Sequence, residues 1–103
     1  MVIKIVPNDK GNPPGKLAEA EIHFTEGEFQ GLKLMCFAVW ERRSGSGRSV
    51  TFPSRSYVVN GERRSYALLR PAIDQGHAPG QDRVRDLILQ AYDELQSQIA
   101  VAS

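Results

Sequence analysis

Helical periodicity is confined to the last quarter of this chain, which limits the folds that the chain can adopt to those with a single C-terminal helix. Apolar residues recur there at spacings of three and four, on a stripe made of Val84, Leu87, Ile88, Ala91, Leu95 and Ile99. Such a stripe predicts one amphipathic α-helix over about residues 81–99. Asp82 falls in the first turn of that helix, where the helix dipole favours a carboxylate.

The residues before the helix alternate short apolar runs with turn signals, which predicts antiparallel hairpins. In residues 17–24, Ala18, Ala20, Ile22 and Phe24 alternate with Glu19, Glu21 and His23, as apolar and polar side chains do in a half-buried strand. Asn60-Gly61 is the dipeptide best suited to the positive φ angles of a type I′ hairpin turn. The predicted strands cover about residues 2–6, 17–24, 32–41, 48–52, 56–59 and 64–69.

The predicted fold class is therefore α+β, with a small antiparallel β-sheet followed by one C-terminal helix in a single domain over residues 1–103. The run from Leu32 to Trp40 is apolar on both faces beyond Lys33, which is typical of a central strand covered on both sides. A chain of 103 residues forms only a thin core. We therefore expect a homodimer, and a neighbouring subunit could cover the second face of this strand.

Several classes of function find little support in the composition. Cys36 is the one cysteine, which leaves no intrachain disulfide or zinc cluster and favours a reducing, cytoplasmic setting. The N-terminal apolar run contains Lys4 and is too short for secretion or membrane insertion. Neither His23 nor His77 stands at a catalytic or metal-binding spacing from Cys36. We expect no enzymatic activity, cofactor, metal or small-molecule substrate.

Charge is strongly segregated along the chain. Residues 42–71 carry a formal charge of +6, whereas the whole chain carries +1, because residues 1–41 carry −2 and residues 72–103 carry −3. Arginine grips phosphate well, since its planar fork donates two parallel hydrogen bonds and keeps its charge. The seven arginines of the basic stretch are Arg42, Arg43, Arg48, Arg55, Arg63, Arg64 and Arg70.

These charges have an alternative explanation. Exposed hairpins use basic side chains to stay soluble and to block edge-to-edge pairing. The residues alone favour neither this explanation nor phosphate binding over the other. Arg83 and Arg85 near the helix start could extend a phosphate-binding surface. They could equally pair with Asp82 or Asp86, a surface contact that contributes about 0.2–1 kcal/mol.

Aromatic residues accompany the arginines. Tyr57 and Tyr66 could stack unpaired bases, although such residues more often belong to the core of a sheet. Trp40 and Phe37 are expected in the core or in a dimer interface.

An ordered series of short motifs runs through the second half of the chain. It comprises Phe52-Pro53-Ser54-Arg55, Gly61-Glu62, Arg70-Pro71, Arg83-Val84 and the helical segment 89–95 with its Leu-x-x-Tyr-x-x-Leu pattern. In this order the motifs resemble those of the stage V sporulation protein G (SpoVG) family, also called septation proteins. That family typically reads Met-Pro-Ser-Lys at the first motif and His-Pro at the third. The resemblance covers roughly residues 17–95.

The chain also departs from the family pattern. The hairpin between Trp40 and Phe52 is longer here, and one or two residues are added between Gly61 and Pro71. Gln81 stands where the family has a second basic residue at the helix start. These departures affect the nucleic-acid contacts that the resemblance implies.

The resemblance implies a small dimeric regulator, of the kind connected with sporulation and septation, that binds DNA and in some members RNA. We accordingly expect a homodimeric nucleic-acid-binding protein that uses arginine-rich hairpins and the start of the helix. The expected phosphate contacts are Arg42, Arg43, Arg48, Arg55, Arg63, Arg64, Arg70, Arg83 and Arg85. The alternative is a non-enzymatic protein-protein interaction module whose basic face meets an acidic partner.

Overall fold

Antiparallel strands and one C-terminal helix make up the fold, so the predicted α+β class is confirmed. A computed structural model of the protein describes residues 1–10, 13–42, 47–72 and 78–102. Its elements are β1 (Val2–Pro7), β2 (Lys16–His23), β3 (Lys33–Glu41), β4 (Arg48–Thr51), β5 (Ser54–Val59), β6 (Glu62–Ala67) and α1 (Pro79–Ala102).

The strands form two sheets, whereas the sequence predicts one. The first has four antiparallel strands in the order β1-β2-β3-β4, and the second contains only β5 and β6. Strand β3 lies between β2 and β4, which agrees with the central position expected from its apolar run. Strand β1 is an edge strand and ends at Pro7, which has no amide hydrogen to continue a ladder.

Helix α1 packs on one face of the four-stranded sheet and closes the core. The alternation predicted for residues 17–24 is correct, because Ala18, Ala20 and Ile22 are buried on that face. From β3, Phe37 and Val39 are fully buried. The buried core cluster comprises Ala18, Ala20, Ile22, Phe37, Val39, Ile88 and Tyr92.

The stripe predicted for the helix is wrong at its C-terminal end. Ile99 is exposed, while Tyr92, which falls outside the predicted stripe, is buried with Ile88. The helix has 24 residues and is therefore about 36 Å long, while its core contacts lie between Val84 and Tyr92. A regular stripe predicts burial along the whole helix, but only the part that lies over the sheet is buried.

A bulge in β3 aligns its apolar residues with the core. Ala20 pairs with Phe37 and Ile22 pairs with Leu34, so one residue of β2 faces two residues of β3. Leu34 and Phe37 consequently both pack in the core although they are three residues apart. Cys36 adopts a φ of 76° at this bulge, in the left-handed region that disfavours residues with a Cβ atom.

The second sheet is a hairpin, residues 54–67, that we call the arm. Asn60 and Gly61 have φ angles of 52° and 79°, as the predicted type I′ turn requires. Because the turn has two residues, Val59 pairs directly with Glu62, and β6 therefore begins earlier than the predicted residue 64. All residues from 54 to 66 are exposed.

Three remaining predictions about chain organisation have mixed outcomes. The Ser-Gly-Ser-Gly run at residues 44–47 favours a loop, but it lies mostly outside the described residues. His77 and most of segment 72–80, which contains two glycines and Pro79, also lie outside them. Helix α1 begins at Pro79 rather than near residue 81, because proline is well tolerated at the first helical position. No described helix combines the length and the apolar character that a membrane span requires.

The left-handed backbone at Cys36 has a testable consequence for stability. Cys36→Gly removes the Cβ strain of about 1–2 kcal/mol but adds unfolded-state entropy of about 0.5–1 kcal/mol. We therefore expect the free energy of unfolding to rise by up to about 1.5 kcal/mol. Cys36→Val should lower it by about 1 kcal/mol, since β-branched residues fit this region worst. Urea denaturation monitored by circular dichroism measures both changes.

Met35 provides the matched control, because it is an exposed neighbour in the same strand and is not among the described residues with positive φ. There the order should reverse, with Met35→Gly less stable than Met35→Val, since glycine weakens a strand of ordinary geometry. The same order of stabilities at both positions would contradict the assigned role of the bulge.

Candidate nucleic-acid interface

One face of the arm alternates arginine and tyrosine. The register pairs Arg55 with Tyr66 and Tyr57 with Arg64, and side chains of directly opposed residues project to the same face. Residues 55 and 57 also share a face because the side-chain period of a strand is two. We call this set, Arg55, Tyr57, Arg64 and Tyr66, the Arg-Tyr face.

The two tyrosines form a diagonal ring pair across the arm. Their ring centroids are 5.8 Å apart and the ring planes are inclined by 52°. Tyr57 is 40% exposed and Tyr66 is 39% exposed, so the alternative expectation that they belong to the core of a sheet is wrong. The Arg-Tyr face therefore presents aromatic surface and positive charge together.

The opposite face of the arm has a different character. Val58 pairs with Arg63 there, and Ser56 pairs with Ser65. Val58 is 70% exposed. The adjacent arginines Arg63 and Arg64 thus project from opposite faces of the arm, because side chains alternate along a strand.

The arm arginines differ in their local partners. An ion pair of 3.3 Å joins an Arg64 Nη atom to Glu62, and both side chains are largely exposed. Exposed pairs of this kind contribute little energy and exchange readily with other partners. Arg55 and Arg63 have no ion-pair partner within the described parts of the chain. These guanidinium groups are consequently accessible to an anionic ligand.

Arg48, one of the predicted phosphate contacts, packs against helix α1. One of its Nη atoms donates to Asp93 at 2.8 Å, and its guanidinium carbon lies 4.9 Å from the centroid of the Tyr92 ring. The Arg48 side chain therefore links β4 to α1 through these two contacts. A phosphate that bound Arg48 would compete with Asp93 for the same donor.

At the helix start the two arginines again separate. Arg85 donates to Asp82 at 2.8 Å and its guanidinium carbon lies 5.9 Å from the centroid of the Phe52 ring. Pairing of Arg85 with an acid, one of the two alternatives, is therefore what the structure shows. Arg83 is exposed and has no ion-pair partner among the residues that the structure describes. Phe52 immediately precedes Pro53 at the base of the arm, which brings the helix start close to that base.

The remaining predicted phosphate contacts, Arg42, Arg43 and Arg70, belong to segments outside the arm. Arg42 is exposed at the end of β3, where its amide donates to the Gly47 carbonyl at 3.3 Å. Arg70 is exposed beyond the end of β6. Arg43 lies outside the described residues. The predicted arginines therefore divide into several groups, and the arm carries Arg55, Arg63 and Arg64.

A shallow groove along α1 shows where an anionic ligand does not fit. Its volume is about 590 Å³, and its lining includes the carboxylates of Asp86, Asp93 and Glu94. These carboxylates would repel phosphate. The charge segregation predicted from the sequence thus extends to the surface, with acids on the helix and arginines on the arm.

A small charged cluster covers part of the sheet face opposite α1. Glu21 lies 2.8 Å from His23 and 3.6 Å from Lys33. The hydrogen bond with His23 lowers the pKa of Glu21, and the charge of Lys33 lowers it further against the opposing effect of desolvation. Across the described residues, no group of three or more His, Cys, Asp or Glu side chains could hold a metal ion.

No protein-family model matches the chain, and no curated protein or solved structure has significant similarity to it.

The structural position of Arg48 leads to a measurable coupling. Because the Arg48–Asp93 pair is exposed, the double-mutant cycle Arg48→Ala/Asp93→Ala should give a coupling energy of about 0.2–1 kcal/mol. Arg48→Ala alone should lower the free energy of unfolding by about a further 0.5–1 kcal/mol, since it also removes the cation–π contact with Tyr92. Thermal denaturation measures each change in the free energy of unfolding.

Arg42→Ala is the control in the neighbouring hairpin, and we expect it to leave stability unchanged. A coupling energy of zero between Arg48 and Asp93 would contradict the fastening of β4 to α1.

Proposed function

We propose that this protein is a nucleic-acid-binding regulatory protein that acts as a cytoplasmic homodimer and contacts backbone phosphates through its arm. The observation that carries the proposal is the Arg-Tyr face, where Arg55 and Arg64 stand beside two exposed aromatic rings. The arm holds three arginines against Glu62, for a net charge of +2. The resemblance of the sequence motifs to stage V sporulation protein G supports the same class of function.

Arg83 is the second contact in this proposal. It lies in the first turns of α1, where free amide groups and the positive end of the helix dipole favour an anion. The start of α1 is close to the base of the arm through the contact between Arg85 and Phe52. A backbone that follows the Arg-Tyr face towards the base of the arm would therefore approach Arg83.

The proposal predicts a specific salt dependence. Fluorescence anisotropy of labelled RNA and DNA across a salt series should show affinity that falls as salt rises, because binding releases counterions. Arg55→Ala/Arg64→Ala should reduce the slope of log K against log salt by about 1.4 for single strands and about 1.8 for duplex DNA, since each phosphate contact contributes about 0.7 or 0.9.

Two control variants separate charge from geometry. Arg55→Lys/Arg64→Lys keeps both charges and should keep most of the slope. Arg85→Ala removes an arginine that lies outside the Arg-Tyr face, against Asp82 and the Phe52 ring, and should change the slope little. Binding that is insensitive to salt, or an unchanged slope in the alanine variant, would exclude phosphate contacts at the arm.

A protein partner is the second candidate, and the opposite face of the arm is the observation in its favour. Val58 and Arg63 combine exposed apolar and basic surface there, which suits an acidic protein. Purification distinguishes the two functions. Co-purified nucleic acid raises the ratio of absorbance at nucleic-acid and protein wavelengths, whereas a discrete complex in nuclease-treated lysate indicates a protein partner.

The homodimer has support at one end of the four-stranded sheet. Three apolar residues are exposed around the start of β3: Phe29, Leu32 and Met35. The Phe29 ring makes an edge-to-face contact with the Phe24 ring, with 5.9 Å between the ring centroids. Light scattering at micromolar concentration should give twice the mass of the 11.4 kDa chain. Leu32→Glu/Met35→Glu should shift the mass towards the monomer, because charges are costly to bury.

Val58→Glu on the arm is the matched control for the dimer and should leave the mass unchanged. A monomeric mass for the wild-type protein would contradict the homodimer. Dissociation by Val58→Glu alone would instead place the interface between copies on the arm.

A further inference from the structure

We infer that the arm selects single-stranded nucleic acid over duplex, with Tyr57 and Tyr66 as stacking platforms for unpaired bases. The inference rests on the proposed function and names the form of nucleic acid that the Arg-Tyr face accepts. Both DNA and RNA present unpaired bases on a phosphate backbone, so this chemistry is common to the two.

Exposure is the first support. The residues Tyr57 and Tyr66 are each about 40% exposed, on a hairpin whose residues 54–66 are all exposed. In an aqueous protein, aromatic surface of this size is normally buried by the fold. The arm offers this surface to solvent, next to arginine side chains that keep it soluble.

Spacing is the second support. The ring centroids of Tyr57 and Tyr66 are 5.8 Å apart, whereas successive bases in a duplex strand are about 3.4 Å apart. Two neighbouring bases that each stack on one ring must therefore separate from one another. A single strand separates its bases easily, but a duplex must first lose its pairing and stacking.

The placement of charge is the third support. Each tyrosine stands opposite an arginine, with Tyr66 facing Arg55 and Tyr57 facing Arg64. Opposed side chains have Cβ atoms about 4.5–5.5 Å apart, so a guanidinium group can reach the phosphate attached to a base stacked on the neighbouring ring. Stacking combined with a positive groove is the usual basis of single-strand binding.

Charge alone would favour the opposite selectivity. A duplex carries one phosphate per about 1.7 Å of its axis, whereas a single strand carries one per about 3.4 Å. A purely electrostatic arm would hence bind duplex more tightly. A preference for single strands must come from contacts with the bases, and the tyrosines are the aromatic residues on the Arg-Tyr face.

Anisotropy titrations of the full chain test the inference, with labelled single-stranded RNA, single-stranded DNA and duplex DNA of one length at one salt concentration. The wild-type protein should bind the single strands more tightly. Tyr57→Leu/Tyr66→Leu should weaken single-strand binding about tenfold for each ring and leave duplex binding unchanged. The salt slope should not change, because the variant removes no charge.

Two further variants distinguish stacking from a structural role of the ring pair, since cross-strand aromatic pairs also stabilise hairpins. Tyr57→Phe/Tyr66→Phe keeps both rings and should bind single strands as the wild type does. Val58→Ser removes exposed apolar surface from the opposite face and should also bind normally. Amide chemical shifts of the arm in each variant report whether the hairpin stays formed.

The outcomes separate this inference from the proposed function. Salt-dependent binding that is equal for single strands and duplex, or that survives Tyr57→Leu/Tyr66→Leu with a formed arm, would overturn base stacking and leave phosphate binding in place. Equal losses in the leucine and phenylalanine variants would overturn stacking as well. Absence of any binding by the wild-type protein would overturn the proposed function itself.

Discussion

The packing of α1 on β2 and β3 is the interaction on which the rest of the structure depends. Ala18 and Ala20 are fully buried and share one core cluster with Ile88 and Tyr92 of the helix. A domain of this size has few buried residues with which to offset the entropy of folding. Loss of the helix would leave Phe37 and Val39 exposed, and the four-stranded sheet would have no apolar cover on that face.

The period of the apolar pattern predicts the elements of this fold but not how they are grouped. Strict alternation in β2 correctly predicts its buried face, because a strand covered on one side has no other arrangement. The separation into two sheets has no comparable signal. It arises because β5 pairs only with β6, and no local pattern states whether a hairpin will join its neighbours. Ile99 continues a regular stripe, yet it lies beyond the part of the helix that meets the core.

The sequence likewise predicts only part of the candidate site, because local patterns do not show how the segments are grouped. A basic stretch is visible in the composition, but its residues share no single surface: Arg48 packs on the helix and Arg63 faces away from Arg64. The Asn60-Gly61 turn contains the missing information, since a two-residue turn determines which residues of β5 and β6 are opposed. Counting outward from that turn places Tyr57 and Tyr66 on one face with Arg55 and Arg64. The contact between Arg85 and Phe52, by contrast, depends on the tertiary fold.

Because the arm is exposed, the residues proposed to recognise a ligand are different from the residues that form the core. This separation affects how the ligand-binding surface of such a protein can change. No residue between 54 and 66 belongs to the buried core cluster, so the residues that meet a ligand can change while the core stays constant. Lengthening β5 and β6 by two residues each would add about 6.7 Å of surface and return the same side chains to the same face. The footprint on a ligand can therefore grow in units of one side-chain period, whereas an odd insertion in one strand would exchange the two faces.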